Sequence, residues 1–278
     1  MRSLWKGAIT FGLISIPVRL YSAVQEKSLK FHLLHDEDGG RIKYERTCAK
    51  CGKTVGWDDI VKGYEYSKEH YVTFSEDELG ALDVDSIKAI DVVAFVPLTD
   101  IDPIYFNKTY YVAPEASGLK AYRLLSEALE AEGQVGVAKV ALREKEHLAT
   151  IRLKDDVFVL ETMYWPDEIR AAEFEELSKK VDVRDNEVKM ARQLIQQLAT
   201  DWQPEEFRDE YREKLEDLVA KKVEGQEITV AIEPEQEPTK VVDLMEALKA
   251  SVEQAKKTKQ TSAKTTKKKT TARKASAS

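Results

Sequence analysis

A mixed α+β chain is what this sequence predicts: an antiparallel β-barrel core, then C-terminal helices, then a disordered basic tail. Three observations predict it. Short apolar runs with a period of two recur, at close spacing, from residue 7 to residue 163. After Asp167 the apolar spacing switches to three and four residues. Residues 256–278 then hold almost nothing apolar, so they cannot offset the entropy of ordering.

The opening run, WKGAITFGLISIPVRLYSA, alternates over positions 7–16, with Ile9, Phe11 and Leu13 set against Thr10 and Gly12. This period predicts a core strand, with Arg2, Lys6 and Arg19 at its ends. A secretory leader is excluded because Thr10, Ser15, Pro17 and Arg19 interrupt the apolar stretch and Pro17 breaks a helix. Further strands are predicted at 71–74, 89–98, 103–113, 135–142, 148–153 and 157–163. The last two are joined as a hairpin through Lys154, Asp155 and Asp156. Many strands at short spacings favour an antiparallel barrel over βαβ units. One helix interrupts them in LKAYRLLSEALEAEG, with a stripe of Ala121, Leu124, Leu125, Ala128 and Leu129 and a stop at Gly133.

Helices follow the barrel. Val188, Ala191, Leu194, Ile195 and Leu198 recur at helical spacing. Pro204 is predicted to start a second helix that places Phe207, Tyr211, Leu215, Leu218 and Val219 on one face. Residues 224–238 read as a Gly- and Pro-containing acidic linker. An amphipathic segment follows, with Val241, Met245, Leu248 and Val252 on one face. It is either a packed element or a docking peptide.

The net charge of −7 conceals segregation. Residues 1–72 carry 12 Lys/Arg against 9 Asp/Glu, residues 73–248 carry 21 against 40, and residues 249–278 carry 10 against 1. A basic front, an acidic middle and a basic tail make local fields matter more than the total. The tail cations Lys256, Lys257, Lys267, Lys268, Lys269 and Arg273 read either as a solvated end or as a non-specific phosphate-binding arm. Lysine dominates without interleaved aromatics, which suits neutralising duplex phosphates rather than stacking on bases. No window approaches a membrane span, and two cysteines fit a reducing, cytoplasmic setting.

No Walker A, GxSxG, HExxH or GxGxxG segment occurs. The strongest local chemical signal is FHLLH (31–35) followed by TCAKCG (47–52). Cys48 and Cys51 have the spacing of a metal knuckle, and His32 and His35 lie far enough upstream to complete a Cys2His2 structural zinc set. A strand over 29–35 points the two histidines to opposite faces and denies them one ion. Zinc shared between two chains through four cysteines is a third arrangement. A thioredoxin-type redox site is disfavoured because no βαβ context surrounds the pair.

The blocks WKGAITFGLISIPVRLYSA, FHLLHDEDGGRIKYERTCAKCG, DIVKGYEY, DIDPIYF and AKVALREKEHLATIRLKDDVFVLETMYWPDEIR, in that order, resemble the bacterial Ku family from about residue 1 to 225. DLMEALKAS and the Lys-rich tail resemble that family's variable C-terminal extensions. The resemblance implies a homodimer that forms a ring around duplex DNA, each chain contributing a β-barrel and an arching insertion. It implies binding of DNA double-strand ends without sequence preference, and recruitment of an ATP-dependent DNA ligase for non-homologous end joining. No enzymatic activity, required cofactor or membrane is implied, and no von Willebrand-type domain precedes the barrel. The expected parts are a Ku-like barrel and DNA-encircling bridge (1–185), a helical arm (186–225), a linker with a short amphipathic segment (226–248) and the tail (249–278).

From the basic front, Lys6, Arg19, Lys27, Lys30, Arg41, Lys43, Arg46 and Lys53 are the expected phosphate contacts, with Arg46 open to pairing near Glu45 instead. Candidate ligase docks are Phe207, Tyr211 and Leu215 in the arm and Leu244, Met245 and Leu248 in the amphipathic segment. Two other classes remain: a general basic-tailed duplex binder, and an abasic-site lyase working through a lysine or the terminal amine.

Overall fold

In the computed structural model, residues 1–81, 88–142, 145–225 and 245–253 are described. The tail cations Lys256, Lys257, Lys267, Lys268, Lys269 and Arg273, and Leu244, lie outside them. The chain divides into two compact units, Met1–Ala172 and Glu173 onward.

The first unit is a closed barrel. The opening stretch is a hairpin rather than one strand: β1 (Trp5–Phe11) pairs antiparallel with β2 (Ile14–Ser22) around Gly12–Leu13. The alternation runs straight through the turn because Leu13 is apolar yet fully exposed there. An exposed two-stranded ribbon follows, β3 (Lys62–Ser67) and β4 (His70–Phe74), and then the short helix α1 (Glu76–Gly80). Next come β5 (Ala89–Pro97), β6 (Phe106–Pro114), α2 (Leu119–Glu132), β7 (Gln134–Leu142), β8 (Lys145–Lys154) and β9 (Val157–Met163). The barrel order is β1-β2-β6-β9-β8-β7-β5. Every pair is antiparallel except the closing one, where three residues of β1 run parallel to β5.

Period-two alternation explains the core. In β2, Ile16, Val18 and Leu20 point inward and are buried, while Ser15 and Arg19 point out. Ile9, Ile90, Val112, Ala138, Val140, Ala149, Ile151, Phe158 and Leu160 complete the interior. Each fully buried Val, Ile, Leu or Phe side chain contributes roughly 1.5–3 kcal/mol. The closing seam depends on Gly7: a β-carbon there would sit 2.1 Å from the Lys88 carbonyl and 2.2 Å from the Trp5 ring. That carbonyl accepts the Ala8 N–H at 3.0 Å.

Helix α2 packs on the barrel through Tyr122, Leu125, Ser126 and Leu129, a face turned from the expected stripe, and Leu124 is exposed. Tyr122 sets this phase. Its hydroxyl donates to the Val112 carbonyl (2.8 Å) and accepts from the Phe158 N–H (2.7 Å), and its ring meets Phe158 at 4.5 Å. The phenol therefore ties together two residues that face each other across β6 and β9. The expected strand start at residue 103 is instead a 3-10 turn over Pro103–Tyr105, which Asp102 caps through the Ile104 N–H.

The second unit contains α3 (Asp185–Leu198) and α4 (Glu210–Val223). The helix expected from Pro204 is a 3-10 turn, Pro204–Glu206, and α4 begins at Glu210 under an Asp209 cap that accepts the Arg212 N–H. Phe207 accordingly precedes α4 and does not share its face with Tyr211 and Leu215. Residues 245–253 are helical, with Val252 buried.

Candidate nucleic-acid interface

Between Tyr21 and Lys88 no described residue is buried. This arm leaves β2 and returns at β5, and its short local pairings hold it in shape. The Leu34–Arg41 bridge closes one loop, in which the Asp38 carboxylate accepts the Gly40 N–H (2.8 Å) and meets the His35 ring (3.0 Å). The Gly40 N–H, and then the His35 contact, hold the Asp38 carboxyl below the usual carboxylate range. The Thr47–Thr54 bridge closes a second loop.

The expected phosphate contacts fall into three groups. Lys6 and Arg19 face each other across β1 and β2 and converge on Glu115, at 3.1 and 2.9 Å. Arg19 first, then Lys6, hold the Glu115 carboxyl below its ordinary value. Arg41 and Arg46 serve the arm itself. Arg41 Nη2 lies 2.7 Å from the His32 ring, and the Arg46 guanidinium stacks 3.7 Å over the Trp57 ring rather than pairing near Glu45. Lys27, Lys30, Lys43 and Lys53 are exposed and have no ion-pair partner among the described residues. They add uncommitted positive charge to the arm. Glu115 is the residue that reading the cations alone missed, because its 96-residue separation from Arg19 leaves no local signal.

A second missed feature is β3, which with the strand expected at 71–74 makes a ribbon where Tyr64, Val72 and Phe74 share one face and are 36–65% exposed. Tyr66 and Tyr71 are exposed as well. The signal lay in KGYEYS-KE-HYVTF, two β-rich runs around a short polar turn.

The Cys2His2 set is not assembled. Among the described residues no group of three or more His, Cys, Asp or Glu side chains can hold one metal ion. His32 is engaged by Arg41 and His35 by Asp38, each within its own loop. Cys48 and Cys51 do come together. The Cys48 N–H donates to the Lys53 carbonyl (2.9 Å) and the Gly52 N–H to the Cys48 carbonyl (2.8 Å), with Gly52 at φ +70° to turn the chain back. The backbone N–H groups of Cys51 and then Lys50, with the Cys51 thiol, hold the Cys48 thiol below the usual range.

Of the docking candidates, Phe207 stacks on Trp202 (5.1 Å, 28°), and both are exposed, as is Tyr211. Leu215, Met245 and Leu248 are half-buried. No described lysine is buried. No helix among the described residues is long and apolar enough to cross a membrane.

Comparison with known proteins agrees with this architecture. Residues 10–190 match the Ku family, described as the Ku70/Ku80 beta-barrel domain. The chain is 45% identical over 261 residues to the non-homologous end joining protein Ku of Desulfitobacterium hafniense, covering 94% of this chain and 90% of that one. Proteins of the same name from Bacillus subtilis and Mycobacterium tuberculosis are 41% and 37% identical. The alignments cover 92% and 91% of this chain and 83% and 95% of theirs. A closed seven-stranded barrel matched over more than half the chain, together with near full-length relatives well above 30% identity, places this chain in the Ku family.

Proposed function

We propose that this protein binds the ends of broken duplex DNA, without sequence preference, as a ring-forming homodimer, and that it recruits an ATP-dependent DNA ligase in non-homologous end joining. The observation that carries the reading is the arm between Tyr21 and Lys88. It leaves the barrel, buries none of its described residues and combines uncommitted lysines with an exposed aromatic ribbon face. A two-stranded ribbon is marginal alone in water, so a second copy covering Tyr64, Val72 and Phe74 supplies what the isolated chain lacks. The lysines then serve the phosphate backbone, a contact that carries no sequence information. End preference comes from topology, since a closed ring loads only where the duplex stops. The names borne by relatives 37–47% identical favour the same reading.

The lyase alternative needs an amine desolvated enough to lose its proton near neutrality. The exposure of every described lysine gives it no support. Ligase docking is assigned to the exposed Trp202–Phe207 stack with Tyr211 and Leu215, and to Leu244, Met245 and Leu248. Capture of ligase by chains ending at 186, 225 and 238 tests it, with stepwise loss expected. Unchanged capture by all three places the dock on the barrel.

Equilibrium binding to one duplex sequence, offered linear and as a covalently closed relaxed circle, tests the ring. Strong retention on the linear form alone is expected. Equal affinity for both contradicts end loading and favours a general duplex binder.

A further inference from the structure

The second loop of the arm holds chemistry that phosphate binding does not use. It contains Cys48 and Cys51, the only two cysteines in the chain, so oxidation within one molecule has a single possible pairing. The Thr47–Thr54 bridge closes the loop, and the Val55 N–H donates to the Arg46 carbonyl at 2.9 Å. The Arg46 stack on Trp57 anchors its base. Within that frame the turn closed by the Gly52 N–H on the Cys48 carbonyl (2.8 Å) and by the Cys48 N–H on the Lys53 carbonyl (2.9 Å) brings the two cysteines round toward one another. Cys51 is exposed to solvent and Cys48 is half-covered. Lys50 lies between them and Lys53 two residues beyond, both among the arm cations.

We infer that Cys48 and Cys51 form a peroxide-oxidisable dithiol that closes reversibly to a disulfide within the loop and so weakens the arm's hold on DNA. The exposed Cys51 sulfur attacks one oxygen of hydrogen peroxide. An S–O bond forms, the O–O bond breaks, and hydroxide leaves and takes the thiol proton to give water. Cys48 sulfur then attacks the Cys51 sulfenic sulfur. The S–S bond forms, the S–O bond breaks, and a second water leaves with the Cys48 proton. The two sulfurs are together oxidised by two electrons and the peroxide is reduced to two waters. A dithiol reductant reverses the step by exchange.

Disulfide formation fixes the two sulfurs at about 2.05 Å. The loop contracts, and the ammonium groups of Lys50 and Lys53 shift with it. Loss of one or two phosphate contacts follows. This last consequence rests on the DNA-binding reading above, whereas the dithiol chemistry does not.

The test treats the full-length protein with hydrogen peroxide and reads free thiols, intact mass and affinity for a linear duplex. The expected result is loss of both thiols, a mass lower by two hydrogens per chain, no disulfide-linked dimer, and an affinity about three- to tenfold weaker. Dithiothreitol restores all three readings. Cys48→Ser cannot close the loop, so its affinity survives the peroxide treatment that weakens the wild type, with no reductant added. Two thiols still free after peroxide, or only interchain disulfides or sulfinic acids, overturn the dithiol. A clean loop disulfide with unchanged affinity overturns its link to DNA. If linear and circular duplex bind alike while the disulfide still forms, the end-loading reading fails and the dithiol stands.

Discussion

At the scale of single residues, Tyr122 and Glu115 carry the most consequence, and neither stood out in the sequence. The stripe expected for α2 weighed apolarity alone, so it chose Leu124 and passed over Tyr122. The helix follows the phenol because two buried backbone groups, the Val112 carbonyl and the Phe158 N–H, need its hydroxyl. Tyr122→Phe keeps the ring and removes that partner, so unfolding in denaturant should show a loss of roughly 1–3 kcal/mol. An unchanged midpoint and slope would show that the hydroxyl is dispensable.

Glu115 neutralises Lys6 and Arg19. Because its carboxyl is held below the ordinary value, the pairing is complete above that value and is lost as pH falls through the lowered one. Side-chain NMR titration of Glu115 should therefore give a midpoint below that of a free glutamate. Glu115→Gln releases both cations and should tighten duplex binding on the order of threefold at low salt. No change in affinity would take Lys6 and Arg19 out of the interface.

At the scale of elements, the strands around the acidic turn Asp155–Asp156 were plain in the sequence because each alternates cleanly and the turn is polar. The first hairpin was not, since Leu13 at its tip continues the alternation and only Gly12 marks the turn. The ribbon strand Lys62–Ser67 was missed because its tyrosines stay exposed, Tyr66 meeting the His70 ring of the same ribbon at 6.1 Å. Periodicity reveals a face only when that face is buried in the same molecule. The parallel closing pair could not be read at all, because contacts between β1 and β5 depend on residues some eighty positions apart. Gly7→Ala drives a methyl group into the Lys88 carbonyl and the Trp5 ring at that seam. A cost of about 1–3 kcal/mol is expected, read as a lower melting temperature, with faster hydrogen exchange at Ala8 and Ile9 than elsewhere in the barrel. Uniform exchange across the barrel would show that the seam is no weaker than the other pairs.

At the scale of the whole molecule, charge segregation was fully present in the composition, whereas the destination of each cation was not. Of eight cations chosen from the basic front, two are paired on the barrel, two brace the arm, and Lys27, Lys30, Lys43 and Lys53 remain exposed without an ion-pair partner among the described residues. If about 6–10 phosphates are neutralised per bound dimer, affinity should fall by roughly 10³–10⁵ between 50 and 200 mM salt. Removing residues 249–278 should lower that salt slope and leave the dimer intact, as read by sedimentation. Loss of the dimer would assign the tail to assembly instead.

On the proposed reading, a second chain and a duplex complete the exposed arm. Native mass spectrometry of the full-length chain, alone and with a short blunt duplex, tests this most directly. Two copies in solution and two copies per short duplex are the expected masses. A single copy in both states would contradict the account.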